Sequence, residues 1–215
     1  MVRKLKALLA PSFWKVPKKE QHWVISPSPG PHKKFECIPL AILLRNVLKI
    51  VDTANEAKKV IKMGEVLVDG KVKKDHRYPA GLFDVVSIPK LNKHYRIVPF
   101  KNGLKPVEIS EEEANKKICK VVKKTTVKEG RNIIFNNSVK TNDSLLLELP
   151  SLKVLDIIKF ETGNIAISKR GFLGKIENYS EKTKLVILKS EKESYSTSIE
   201  YIYVVGKEKP LITCM

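Results

Sequence analysis

Cysteine is scarce in this 215-residue chain: Cys37, Cys119 and Cys214 are dispersed and odd in number. No two are spaced as C-x-x-C, so the chain encodes neither a disulfide framework nor a zinc knuckle, and a reducing compartment is expected. Long apolar runs are missing as well. The longest, Ile38 to Leu44, contains Pro39 and is far too short to span a bilayer. The start is basic, but Pro11 follows Leu8-Leu9 and leaves no signal-peptide apolar region. His22, His32, His76 and His94 stand at no metal-ligand spacing. No nucleophile–base set and no P-loop is present, so no cofactor or small-molecule substrate is expected.

Acid is the other shortage. Against 41 Lys+Arg there are 23 Asp+Glu, a formal charge of +18 with pI near 9.7. Such an excess self-repels in a folded chain unless a polyanion neutralises it. Hydrophobic residues make up 42%, enough to bury a core, which excludes a wholly disordered basic tail. The charge is densest at the start, where residues 1–35 hold eight Lys/Arg and one acid. The pattern of a basic tail on a basic folded body points to phosphate backbones. No amphipathic basic helix argues for a membrane surface.

Residues 1–35 carry Pro11, Pro17, Pro27, Pro29 and Pro31, which break any long helix. An extended arm that orders on a partner is expected. Trp14 and Trp23 either stack on bases or pack on the body. A helix is predicted from Pro39, with Leu40, Leu43, Leu44, Val47 and Leu48 on one face. Thr53-Ala-Asn-Glu56 is a capping box opening a second helix, and Gly64 is suited to end it. Val66–Val72 turns at Asp69-Gly70, a hairpin signal, and Asp84–Ile88 reads as a strand. Ser110 with Glu113 suggests a short capped helix, after which Ile118 and Val121-Val122 continue the apolar pattern. Asn132–Phe135, Ser144–Leu149, Lys153–Phe160, Ile165–Ser168, Lys175–Tyr179, Lys184–Leu188 and Glu200–Val205 are strand-like, spaced as in small barrels. Residues 207–215 read as a short tail.

Isolated motifs are weak. Gly171-Phe-Leu-Gly174 is either a phosphate-approaching loop or a tight turn between strands; Glu111 to Glu113 suits a first helical turn more than a carboxylate pair. His32 could donate to phosphate. The informative set is collective: cations on both helices and after the hairpin could line one groove about one RNA strand wide.

The ordered series Ser26-Pro-Ser-Pro-Gly-Pro-His32, Ile38-Pro-Leu, Leu44-Arg-Asn46, Val68-Asp-Gly-Lys71-Val, Tyr78-Pro-Ala-Gly81, Asp84–Ile88 and Ile158-Lys-Phe-Glu-Thr-Gly-Asn164 resembles one family. It is the small-subunit ribosomal protein four family of the eukaryotic–archaeal type; Val204–Lys207 and Lys209–Ile212 resemble it too. The resemblance implies an α+β chain of four parts. These are a basic arm at 1–37, an αL-type RNA-binding domain of two helices and a small sheet at 38–95, a central β-rich domain at 96–165, and a KOW/SH3-like barrel with tail at 166–215. It implies RNA contacts from Arg3, Lys4, Lys6, Trp14, Lys15, Lys18, Lys19, His32, Lys33 and Lys34 in the arm. Arg45, Lys49, Lys58, Lys59, Lys62, Lys71, Lys73, Lys74, His76 and Arg77 follow in the αL surface, and Lys169, Arg170 and Lys175 in the KOW loop. The glycine pair usual before the KOW turn is Ser168-Lys169-Arg170 here. The short start and missing basic tail fit an archaeal-like or reduced member.

The expected role is therefore non-catalytic. The chain would be a structural constituent of the cytoplasmic small ribosomal subunit, with small-subunit ribosomal RNA and neighbouring ribosomal proteins as partners and no membrane. Two alternatives share these features. One is an RNA-modifying enzyme with an αL reader, needing a catalytic Asp among Asp69, Asp84, Asp143 and Asp156. The other is a KOW-type transcription or translation factor that binds only transiently.

Overall fold

A computed structural model of the chain describes residues 4–101, 103–123, 139–180, 183–190 and 193–214. It is mostly β with few helices, and it divides into two compact units, 1–115 and 116–214. The division does not follow the boundary expected at 95/96, which falls inside a continuous strand, Lys93–Phe100.

In the first unit, β1 (Lys4–Lys6) pairs antiparallel with β2 (Trp23–Ile25), and β3 (Cys37–Pro39) pairs with β6 (Pro79–Gly81). The five-stranded sheet runs in the order β5 (Lys71–Val72), β4 (Leu67–Val68), β7 (Val85–Ile88), β8 (Lys93–Phe100), β9 (Gly103–Ile109). Helix α1 starts at Leu40 directly after Pro39, whose fixed φ suits that place, and widens into a π turn over Leu43–Val47. Helix α2 (Ala54–Lys62) has the expected capping box, Thr53 and Glu56 each accepting the other's backbone N–H. Gly64 follows at φ +82, the left-handed conformation a glycine adopts freely. Asp69 (φ 51) and Gly70 (φ 72) form the two-residue turn between β4 and β5, as their sequence signals.

The basic arm is not an extended segment awaiting a partner. Leu5, Ala7, Ala10, Trp14, Val16 and Val24 share one core with Ile38, Leu40, Ile42, Leu44, Ile61 and Val86. Trp14 is fully buried, and its indole N–H donates to the Cys37 carbonyl at 2.7 Å. The prolines prevent a helix, but they do not prevent β pairing and apolar burial, which order the arm.

Helix α3 is one turn, Glu111–Ala114, and Ser110 makes no side-chain cap. Glu113 instead meets Arg96, a guanidinium with no solvent exposure, whose Nη1 donates to Oε1 at 2.6 Å and Nη2 to the Glu113 carbonyl at 2.8 Å. A buried cation outcompetes a local cap, because leaving it unpaired costs more. The chain then becomes strand β10 (Lys116–Lys120), which carries the apolar pattern on through Ile118.

In the second unit, β10, β11 (Ser144–Glu148) and β12 (Val154–Ile158) form a three-stranded antiparallel sheet. A five-stranded sheet follows in the order β16 (Ser194–Ser198), β15 (Leu185–Lys189), β14 (Leu173–Ser180), β13 (Ile165–Ser168), β17 (Ile202–Gly206). Alternating burial in β15, with Val186 and Leu188 inward, is the period of a sheet with one wet face. Residues after Gly206 turn back instead of trailing away: Leu211 N–H donates to Val205, and Ile212 and Cys214 are buried. The strand expected at Asn132–Phe135 lies outside the described residues.

Candidate nucleic-acid interface

The cations of the first unit fall into two groups, those in open water and those tied to the fold. Lys6, Lys15, Lys18, Lys19, Lys33 and Lys34 of the arm are exposed. So are Lys49, Lys59, Lys62, Lys71 and Lys74. Arg3 lies outside the described residues, and Lys4 sits in β1.

Helix α2 and the segment after the hairpin do converge. His76 is half-buried, and its imidazole is held below the usual histidine value. Burial is the main cause; Lys58, Arg77 and Lys62 reinforce it, and Asp75 opposes it. Lys58 and Lys62 of the helix and Arg77 after the hairpin thus all act on His76 through space. At the end of α2, a Cβ on Gly64 would meet Val72 at 3.1 Å and Lys74 Cε at 3.8 Å, so the hairpin strand lies directly against the helix C-terminus.

Other candidates are engaged within the fold. Trp14 is buried and hydrogen-bonded, so its indole is not available to stack on a base. His32 Nε2 lies 2.9 Å from the Oδ2 of Asp84, itself buried, and that oxygen also accepts the Gly81 N–H. Gly81 is needed there, since a Cβ would sit 2.2 Å from the His32 ring. Arg77 Nε donates to the Ser26 carbonyl at 2.8 Å, and its own carbonyl accepts from Ser28 N–H, which stitches the arm to this segment. Arg45 donates to Asn46 Oδ1 and to Gln21 Oε1. Lys73 stands over the Tyr78 ring, 4.6 Å from its centroid. These five residues shape the face more than they extend it.

In the second unit, Arg170 and Lys175 are exposed, and Lys169 Nζ lies 5.6 Å from the Tyr201 ring centroid. Gly171 (φ 85) occupies a tight turn closed by its N–H on the Ser168 carbonyl. Gly174 serves strand packing: a Cβ would meet the Lys189 carbonyl oxygen at 2.7 Å. The Gly-x-x-Gly segment is thus a turn between β13 and β14.

The sequence gives no warning of two further cationic features. The β8–β9 hairpin presents Phe100, 48% exposed, with Lys105 and Lys101 ammonium groups 5.0 and 5.5 Å from its ring. A cavity in the second unit gathers Lys120, Lys140, Lys159 and Lys184. These lysines are far apart in the chain, and pairing of strands brings them together.

The four aspartates an enzyme would draw on are occupied with backbone. Asp69 accepts Val85 N–H, Asp84 accepts Gly81 N–H, Asp143 accepts Lys140 and Phe160 N–H, and Asp156 accepts Ile157 N–H. Among the described residues, no group of three or more His, Cys, Asp and Glu could hold a metal ion. Nor, among them, is any helix long and apolar enough to cross a membrane.

The fold and surface define a strongly cationic, mostly β protein with an open basic face. Residues 91–154 match the model of the ribosomal family S4e, and residues 1–35 match the RS4NT (NUC023) domain. The small ribosomal subunit protein eS4 of Archaeoglobus fulgidus is 42% identical, over 96% of this chain and 96% of the relative. That of Korarchaeum cryptofilum is 39% identical, over 98% and 96%. The crystal structure of the 30S ribosomal protein S4e from Thermoplasma acidophilum matches with a TM-score of 0.68 at 28% identity, covering 80% of this chain and 96% of that one. The chain belongs to the eS4 family of small-ribosomal-subunit proteins. That is a family of ribosomal proteins and not of enzymes, which sets aside the RNA-modifying alternative.

Proposed function

We propose that this chain is a structural constituent of the small ribosomal subunit, in the cytoplasm, and that it holds ribosomal RNA through its cationic surface while meeting neighbouring small-subunit proteins. The observation that carries the reading is the packing of the hairpin strand against the end of α2, which sets Lys74 beside the helix that bears Lys58, Lys59 and Lys62, in a chain of net charge +18. Ammonium groups in open water bind phosphates by releasing condensed counterions, and RNA shape governs the fit more than base edges do. The region 38–95, with α1, α2 and the β4–β5 hairpin, is read as the αL-type RNA-binding element. The sheet β13–β17 within 166–215 is read as the KOW-type small barrel, with arm 1–37 and central domain 96–165 completing the four parts. The exposed members of the predicted set are the phosphate contacts in this reading. The engaged ones, His32, Arg45, Lys73 and Arg77, orient the arm and the hairpin that carry them.

Sedimentation in high salt tests this. A constituent stays with the small subunit after the wash, and that is the expected result. Recovery of the chain in the wash, away from the subunit, would favour the transient KOW-type factor.

A further inference from the structure

The cavity of the second unit is unassigned by any of this, and we infer that it is a pocket for a single unpaired nucleotide of the bound RNA, its base stacked on the face of Phe160 or Tyr179 with the other ring against its edge, and its phosphates held by Lys140, Lys159 and Lys184. The inference rests on the RNA-binding reading above and locates one contact within it.

The cavity measures about 830 Å³, within the usual range for small-ligand sites. Its walls come from both sheets of this unit. Phe160 and Tyr179 meet edge to face, with ring centroids 5.2 Å apart and planes at 77°, and both are half-buried. Tyr203 lines the same space. Half-buried rings held by each other keep fixed faces, which is what a base needs to stack on.

The charges are sorted in a way that suits a nucleotide. Lys120 is committed to the walls: its ammonium donates to the carbonyls of Ile199 at 2.6 Å, Ile202 at 2.9 Å and Glu200 at 3.3 Å. Asp143 is committed too. Buried, it accepts Lys140 N–H at 2.7 Å through one oxygen and Phe160 N–H at 2.9 Å through the other, so it fixes the two segments that carry the lysine and the ring. Lys140, Lys159 and Lys184 are exposed at the mouth. The remaining acids, Glu161 and Glu200, are exposed at the rim and can accept from exocyclic base amines. Asn142 (φ 76) and Lys184 (φ 53) hold left-handed backbone at the lining, a conformation costly for a lysine and concentrated at functional sites. An aromatic wall, three mouth cations and carboxylate acceptors at the rim match a base with its phosphates better than a peptide or a lipid.

The test uses the full chain with a cognate small-subunit ribosomal RNA transcript, cross-linked by short-wave ultraviolet light, which couples any of the four bases, and mapped by mass spectrometry, with affinities measured in parallel. The variants are Lys140→Gln/Lys159→Gln/Lys184→Gln and, as a charge-matched control, Lys153→Gln/Lys207→Gln/Lys209→Gln, all exposed positions of this unit. Expected are adducts on Phe160, Tyr179 or Tyr203, and an affinity for the pocket variant roughly tenfold or more below that of the control. Of Phe160→Leu and Tyr179→Leu, the one that removes the stacking face should lose roughly five- to hundredfold. If those replacements unfold the unit, the lysine comparison and the adducts decide alone. Tight binding by the wild type with no adduct in the pocket, and equal affinities for the two triple variants, would overturn the pocket while leaving the ribosomal reading intact. A wild type that binds no ribosomal RNA would overturn both.

Discussion

Replacing Trp14 tests whether the basic arm belongs to the folded body. Trp14 has no solvent exposure, lies in the core that joins the arm to α1 and α2, and donates to the Cys37 carbonyl at 2.7 Å. Truncating a buried Trp to Ala costs about 3–5 kcal/mol through lost transfer energy and the cavity left behind. Trp14→Phe keeps most of the apolar volume but strands a carbonyl, for about 1–2 kcal/mol. The exposed Lys15, Lys18 and Lys19 provide trypsin sites within the arm. In the rapid-opening regime, cleavage tracks the open population, and about 1.4 kcal/mol is a tenfold change. Trp14→Ala should therefore be cut in the arm more than a hundredfold faster than the wild type, and Trp14→Phe about tenfold faster. Trp23 is 47% exposed, so a Trp23→Phe chain isolates Trp14 and should emit as a buried indole. Equal arm cleavage in wild type and Trp14→Ala, with solvent-like emission from Trp23→Phe, would refute the packed arm.

Three further perturbations probe other links. Glu113→Ala removes the partner of the fully buried Arg96 guanidinium and should destabilise the first unit by about 3–5 kcal/mol in urea unfolding, whereas an exposed pair would cost under about 1 kcal/mol. Thr53→Ala deletes the α2 capping box and should cost about 1 kcal/mol, with Thr53→Ser restoring it; no loss in Ala would show that α2 is held by packing alone. Burial pulls the Lys120 ammonium down to about 8, with nearby Glu200 opposing. Between pH 8 and the ordinary lysine value of 10.5 the unfolded chain binds more protons, so stability rises with pH across that window. After screening by residual solvent, the wild type should gain roughly 2 kcal/mol over Lys120→Met there, and a difference constant with pH would contradict it.

Local signals carried much of this fold. The capping box at Thr53–Glu56, the glycine ending α2 and the Asp69-Gly70 turn are decided by residues adjacent in the chain, and each stands where its pattern indicates. The failures share a cause, a partner distant in sequence. Prolines and scattered aromatics made residues 1–35 look unstructured, yet Trp14 finds its acceptor 23 positions away. Ser110-Glu-Glu-Glu113 has the letters of a capped helix, but Glu113 answers a buried arginine on β8. The site was legible in the same measure. The α2 and post-hairpin cations converge as their density suggested, while the roles of His32, Arg45 and Arg77 in fastening the arm depend on pairings no local pattern encodes.

A cationic excess of this size is neutralised in the bound state only if it meets a polynucleotide. The most direct measurement is the affinity of the full chain for cognate small-subunit ribosomal RNA as a function of monovalent salt. With six to ten phosphates neutralised, binding should weaken by on the order of 10³–10⁵-fold between 50 and 200 mM, as a straight line in log–log form. An affinity unchanged across that range would contradict it.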